Sequence, residues 1–184
     1  MKHLFLTIIL LVLIVPVFAV DSTKTEESMP PMGPPVELKE LKYLIGAWDV
    51  DMKMRQDPSQ PWQDMKSSGS YDYILNGAAI RQNYKGEMMG MPFVGESTMC
   101  YNRELKKWQV TWLDNMFAQL SIYEGNMVDG KFVVQGEELY MGKAYLSRMT
   151  ISSLTEKSFD WLMEMSIDGG KTWFSTMKAV YTKK

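Results

Sequence analysis

"WDVDMKM", residues 48–54, alternates without a break. Trp48, Val50, Met52 and Met54 fall on one side, and Asp49, Asp51 and Lys53 on the other. Successive side chains of an extended strand point to opposite faces, so a period of two describes a strand with one dry face and one wet face. The same beat returns further along the chain. "KWQVTWLD" (107–114) puts Trp108, Val110 and Trp112 on one face, and "SFDWLMEMSI" (158–167) does so with Phe159, Trp161, Met163 and Met165. "KTWFSTMKAVY" (171–181) reads as a further strand with Trp173, Met177, Ala179 and Tyr181 in phase.

Weaker strands fill the intervals, at 67–75, 79–85, 92–101, 117–124, 131–140 and 145–152. Turn signals separate them: "NG" at 76–77, "KGEMMG" at 85–90, "NREL" at 102–105, "VDGK" at 128–131, "MGK" at 141–143 and "DGG" at 168–170. One short helix stands apart. In "LKELKYL" (38–44) the apolar residues recur at 38, 41 and 44, and Gly46 ends the run. About ten short strands, tightly connected in chain order, predict an all-β fold, a single antiparallel up-and-down β-barrel with a short N-terminal helix. Closure removes the exposed edges that an open sheet would leave. An open sandwich is the alternative architecture.

"SIDGGKTW" (166–173) tests that reading, because Ser-x-Asp-x-Gly-x-Thr-Trp resembles the Asp-box of sialidase-type propeller blades. A propeller repeats the box from blade to blade, whereas here it occurs once, in 184 residues with no repeat of fixed period. It reads instead as a hairpin turn, with the Asp168 carboxylate capping it and Gly169 and Gly170 accepting positive φ. Trp173 is expected to return to the apolar face.

The chain opens "MKHLFLTIILLVLIVPVFAVDST": one basic residue, an apolar run from Leu4 to Val15, then a Val-Phe-Ala site. The run is shorter than the ~20 residues that span a bilayer, so residues 1–19 read as a cleaved export signal. The expected address is outside the cytoplasm, periplasmic or secreted, with no stable membrane insertion after cleavage. Residues 20–36, "VDSTKTEESMPPMGPPV", read as a disordered Pro-rich tether, and residues 37–184 as the barrel domain. With 20 basic against 22 acidic residues and no polybasic run, nothing favours nucleic acid or an anionic membrane as partner. The one cysteine, Cys100, has no partner for a disulfide, and reads as a buried, inert thiol.

Gly46-x-Trp48, at the junction of the helix and the first strand, resembles the Gly-x-Trp opening of lipocalins and their calycin relatives. "YKGEMMGMPFVGESTMCYNRELKKWQVTWLD" (84–114), with the ending "MKAVYTKK", resembles an uncharacterised bacterial lipocalin-like family, a domain of unknown function, over about residues 37–184. The most specific piece is Gly86-Glu-Met-Met-Gly90-x-Pro92-Phe93-x-Gly95, followed by Trp112-x-Asp114. The resemblance implies a calycin-type barrel and carries no activity. Cys100, where a small residue is expected, and Ala78-Ala79, where a second glycine is expected, depart from the pattern.

The only histidine, His3, lies in the export signal. The mature chain therefore has no imidazole for acid–base work, for a Ser-His pair, for zinc or for a haem ligand. Paired carboxylates stand at Asp49/Asp51 and Glu137/Glu138, and Asp49 and Asp51 belong to the wet face. On these grounds the protein reads as no enzyme, with no cofactor. Its expected role is to bind a small hydrophobic or amphipathic molecule inside the barrel, lined by Trp48, Met52, Trp112, Trp161 and Met163. Asp114 and Arg148 are the candidate polar anchors, and Arg81 a further partner for Asp114. A second reading has Asp114 capping the turn toward Phe117. Two other functions stand beside ligand binding. Met88, Met89 and Met91 offer closely spaced thioethers, suited to Cu(I), and a barrel filled by its own side chains would serve as an interaction or structural module. Oligomeric state is left open.

Overall fold

A computed structural model of the chain describes residues 32–140 and 142–184. The proposed export signal, and the tether as far as residue 31, lie outside the described residues. Ten strands follow one another: β1 (Gly46–Met54), β2 (Gln63–Ile74), β3 (Ala79–Met88), β4 (Met91–Asn102), β5 (Lys107–Asp114), β6 (Ser121–Val128), β7 (Lys131–Tyr140), β8 (Lys143–Ser152), β9 (Ser158–Ser166) and β10 (Phe174–Lys183). Each pairs antiparallel with its neighbour in the chain, and β10 pairs with β1, closing an up-and-down barrel. The expected fold class holds, and the open sandwich does not.

The helix is a 3₁₀ helix, Val36–Leu44, introduced by Pro35. Its leucines explain the geometry. Leu38, Leu41 and Leu44 recur every three residues, and three residues per turn stacks them on a single edge. All three are buried, Leu41 and Leu44 completely. They plug one end of the barrel, each contributing roughly 1.5–3 kcal/mol of burial. The Gly46-x-Trp48 motif locks the plug to the wall. Gly46 turns the chain at φ +125°, and a Cβ there would stand 2.7 Å from Lys183 Nζ. Lys183 donates to the Ile45 carbonyl and lies 4.2 Å from the centre of the Trp48 ring. Trp48 Nε1 donates to the Leu44 carbonyl at 2.7 Å.

Beyond the plug, aromatic rings fill the interior. Trp48 meets Phe159 edge-on at 4.8 Å, Phe159 stacks on Tyr181 at 4.2 Å, and Trp108 meets Phe132 at 5.4 Å. Each of these rings is essentially inaccessible to solvent.

The tight hairpins follow from local residue choice. Met89-Gly90 and Asp129-Gly130 both take positive φ at two successive positions, which gives two-residue turns whose twist suits paired strands. The first extends β3 to Met88, beyond the 85 expected from "KGEMMG". β6 begins at Ser121, four residues later than expected, because Asp114 holds residues 115–117 in a turn. The "SIDGGKTW" segment is a hairpin connection. Asp168 accepts from the backbone N–H of Lys171 and Thr172 and from the hydroxyls of Ser166 and Thr172. These bonds, led by that of the Thr172 hydroxyl, hold its carboxyl at about 2. Trp173 does not return to the apolar face. The β9–β10 register shifts between Ser175 and Met177, so Phe174 takes the inward phase opposite Met165 and Trp173 lies outside. There the Arg148 guanidinium sits 4.1 Å from its ring centre. Among the described residues no helix is long and apolar enough to cross a membrane.

Candidate functional site

The inward positions differ between the two ends of the barrel. Toward the plug, Ile80, Met99, Val110, Phe132, Ile151 and Phe159 are each no more than 2% exposed. At the opposite end, inward Met54, Met65, Trp112, Trp161, Met163 and Met177 are only partly buried, although strands enclose them on both sides. Solvent therefore enters the barrel from that end. The open half is a cup whose floor is the aromatic core.

One wall of the cup is thioether. Strand register sets Met54 opposite Met177, Met177 opposite Met163, and Met163 opposite Met149, a continuous row across β1, β10, β9 and β8. The adjacent row runs Met65, Met52, Ala179, Trp161. Of the expected lining residues, Trp48 belongs to the sealed plug end, while Met52, Trp161 and Met163 meet here. A rim cleft of about 830 Å³ opens beside this wall, between the β1–β2 loop and the β3–β4 turn; Met54, Arg55, Gln60, Met65, Lys66 and Met89 line it.

The opposing wall is polar and aromatic. Tyr71, Gln82, Ser97, Trp112 and Ser121 stand in one register row across β2 to β6. The row starts in the sealed core, where Tyr71 is fully buried against Phe159 and Tyr181 with its hydroxyl beside that of Tyr181; further along, the Ser97 hydroxyl is buried with no hydrogen-bond partner among the described residues. Burial raises the Tyr71 phenol well above its ordinary pKa. Within this row, Trp112 packs between Phe93 and Tyr84, at 6.3 and 6.1 Å. Gly95 makes room for it, since a Cβ there would lie 2.4 Å from Trp112 Cζ2. Tyr84 donates to Ser67 Oγ at 2.5 Å, and burial raises its pKa.

The expected polar anchors are corrected. Asp114 is in the inward phase, but its carboxylate is committed to its own chain. It accepts from Trp112 Nε1 at 3.0 Å and from the backbone N–H of Met116 and Phe117 at 2.9 and 2.8 Å. It caps the turn toward Phe117 and orients the indole. Arg148 is no anchor inside the cup. Its neighbours Ser147 and Met149 point inward, so Arg148 faces outside, where it pairs with Glu164 at 2.8 Å. Arg81 alternates with buried Ile80 and Gln82 and is exposed. Of the three methionines considered for copper, Met88 and Met91 oppose each other across the hairpin, and Met89 is exposed in the turn at φ +53°. Cys100, expected to be buried, instead faces outward and is half-buried; desolvation raises its thiol pKa.

The inward carboxylate of the cup is a different one. Glu138 continues the inward phase of Phe132, Val134 and Gly136. It accepts from the Tyr123 hydroxyl on one oxygen and from the Tyr145 hydroxyl, at 2.5 Å, on the other. Tyr123 is buried, and burial followed by the nearby Glu138 charge pushes its pKa far above the usual phenol value. Counting back by twos from Glu138 would have revealed it in the sequence. Only its pairing with Glu137 drew attention, and that spacing says nothing about direction.

Solved structures share this barrel. An S-type phycobiliprotein lyase, CPES from Guillardia theta, superimposes with a TM-score of 0.52 at 12% identity, over 82% of this chain and 98% of its own. Rv2717c from M. tuberculosis does so with a TM-score of 0.55 at 10% identity, over 83% of this chain and 99% of its own. The first of these overturns the expectation of no enzyme. A barrel of this shape carries a lyase in Guillardia theta, so the scaffold itself is compatible with an enzyme. Comparison with curated proteins found no match. Residues 34–183 match the family described as protein of unknown function DUF1579, and the chain belongs to that family.

Proposed function

We propose that this protein, after export, binds a small hydrophobic or amphipathic molecule in the open half of its barrel. The observation that carries the reading is the contrast between the two halves: rings sealed from solvent toward the plug, and inward Met and Trp side chains still accessible at the other end. Closed barrels hold small ligands where side chains leave the interior unfilled. Thioethers suit such a wall because they are flexible and polarisable, and adapt to varied apolar shapes. The Ser97 hydroxyl, buried beside Trp112 with no partner among the described residues, favours an amphipathic guest over a pure hydrocarbon, since buried polar groups without partners are costly. The "GEMMGMPFVG" segment supports the same site, since its hairpin forms part of the rim and supplies Phe93 and Gly95 around Trp112. Export rests on the Lys2–Ala19 signal pattern.

Titration with an apolar dye that fluoresces on leaving water tests the site. The wild type should bind it saturably, and Trp161→Ala should weaken binding by about tenfold, the equivalent of part of one buried aromatic side chain. Unchanged affinity in Trp161→Ala would remove β9 from the lining. Native mass spectrometry of protein from its own host gives the complementary readout: a co-purified small molecule supports the cup, and a bare chain mass argues for an interaction module.

A further inference from the structure

We infer that the molecule held in the cup carries a cationic, hydrogen-bond-donating nitrogen, received by the Glu138 carboxylate. The inference rests on the cup reading and specifies the chemical class of its guest. Glu138 lies on the inner face of β7, two positions beyond Gly136 and close to the open rim. Tyr145 stands opposite it on β8, and Tyr123 rises from the buried face of β6. The two phenols each donate to a different carboxylate oxygen, which fixes the plane of the group.

A carboxylate has room for about four hydrogen bonds, so each oxygen keeps an accepting site. The phenols are neutral and leave the negative charge uncompensated. No lysine or arginine pairs with Glu138 among the described residues; the ion pairs there are Lys53–Asp64, Lys107–Glu124, Arg148–Glu164 and Lys184–Asp49. A charge turned into an apolar enclosure is unfavourable unless something of opposite sign meets it. The thioether wall would hold the guest's apolar body, and Glu138 its charged end. A primary ammonium fits: it is a compact charge with three donors, and a charge-assisted bond is about twice as strong as a neutral one.

Three probes of equal chain length, used below their micelle concentrations, separate the possibilities: decylammonium, decanol and decanoate. The wild type should bind decylammonium about tenfold more tightly than decanol, with decanoate the weakest. Glu138→Gln keeps the shape of the side chain and removes its charge. It should abolish the preference of the ammonium over the alcohol. Tyr145→Phe loosens the carboxylate and should reduce the preference part-way, a check that does not depend on Glu138→Gln folding well. Equal binding of ammonium and alcohol by the wild type, or a preference that survives Glu138→Gln, would overturn the inference and mark Glu138 as a solvated rim group. Either result leaves the cup standing. If decanol does not bind either, the cup itself is lost, and the inference with it.

Discussion

Single residues in this barrel take their roles from the phase of the strand that carries them. Asp114 and Glu138 are both inward carboxylates, yet their environments differ. Asp114 ends β5, and three donors of its own chain use it up. Glu138 lies within β7, where two neutral phenols are its hydrogen-bond partners among the described residues. Asp168 shows the same chemistry in a turn. Its carboxyl is held at about 2, well under the ordinary 3.8, by hydrogen bonds to Thr172, Ser166 and Lys171. A depressed folded pKa means that the ionised form is the one favoured by folding. The contribution is therefore complete above the unfolded value and lost as pH falls through about 2. Asp168→Asn should melt below the wild type at pH 7, and the gap should close as pH is lowered from about 4 to about 2. Thermal melts across that range check it; a gap that stays constant would mean that hydrogen-bond geometry, not charge, is what the turn uses.

At the scale of elements, the 3₁₀ helix decides which half of the barrel is filled. Its leucine edge, the Trp48 bond to the Leu44 carbonyl and the Lys183 side chain over Trp48 form one assembly. Leu41→Ala should destabilise the protein by about 2–5 kcal/mol, the range for deleting a wholly buried leucine with partial collapse of the cavity. Urea denaturation gives the value. Dye affinity should hold in the variant under conditions where it stays folded, since the plug seals the end opposite the cup. A loss of binding in the folded variant would place the ligand at the plug instead. The bulge in β10 is the other decisive element. By switching phase between Ser175 and Met177 it turns Phe174 inward and leaves Trp173 to cover Arg148 outside.

For the molecule as a whole, the six tryptophans report on the division between the halves. Trp48 and Trp108 lie in the sealed core, while Trp112 and Trp161 face the cup. In variants retaining one tryptophan each, acrylamide should quench Trp112 and Trp161 and spare Trp48 and Trp108, and bound dye should protect the first pair. Equal quenching of all four would mean that the interior has no dry half. The Guillardia theta and M. tuberculosis barrels share the architecture at 12% and 10% identity. Agreement at that distance carries the fold alone.

Local alternation and turn chemistry are enough to place the strands, the inward sides of β1, β5, β9 and most of β10, and the succession of hairpins. Period-two alternation and turn chemistry are local, and each can be read within a few residues. That Met54, Met177, Met163 and Met149 form one row, and that the plug fills one half, emerges only once the strands are paired. Those outcomes depend on register between strands and on a bulge in β10. Register comes from pairing segments that lie far apart in the chain, as when β1 meets β10, and no local pattern records it.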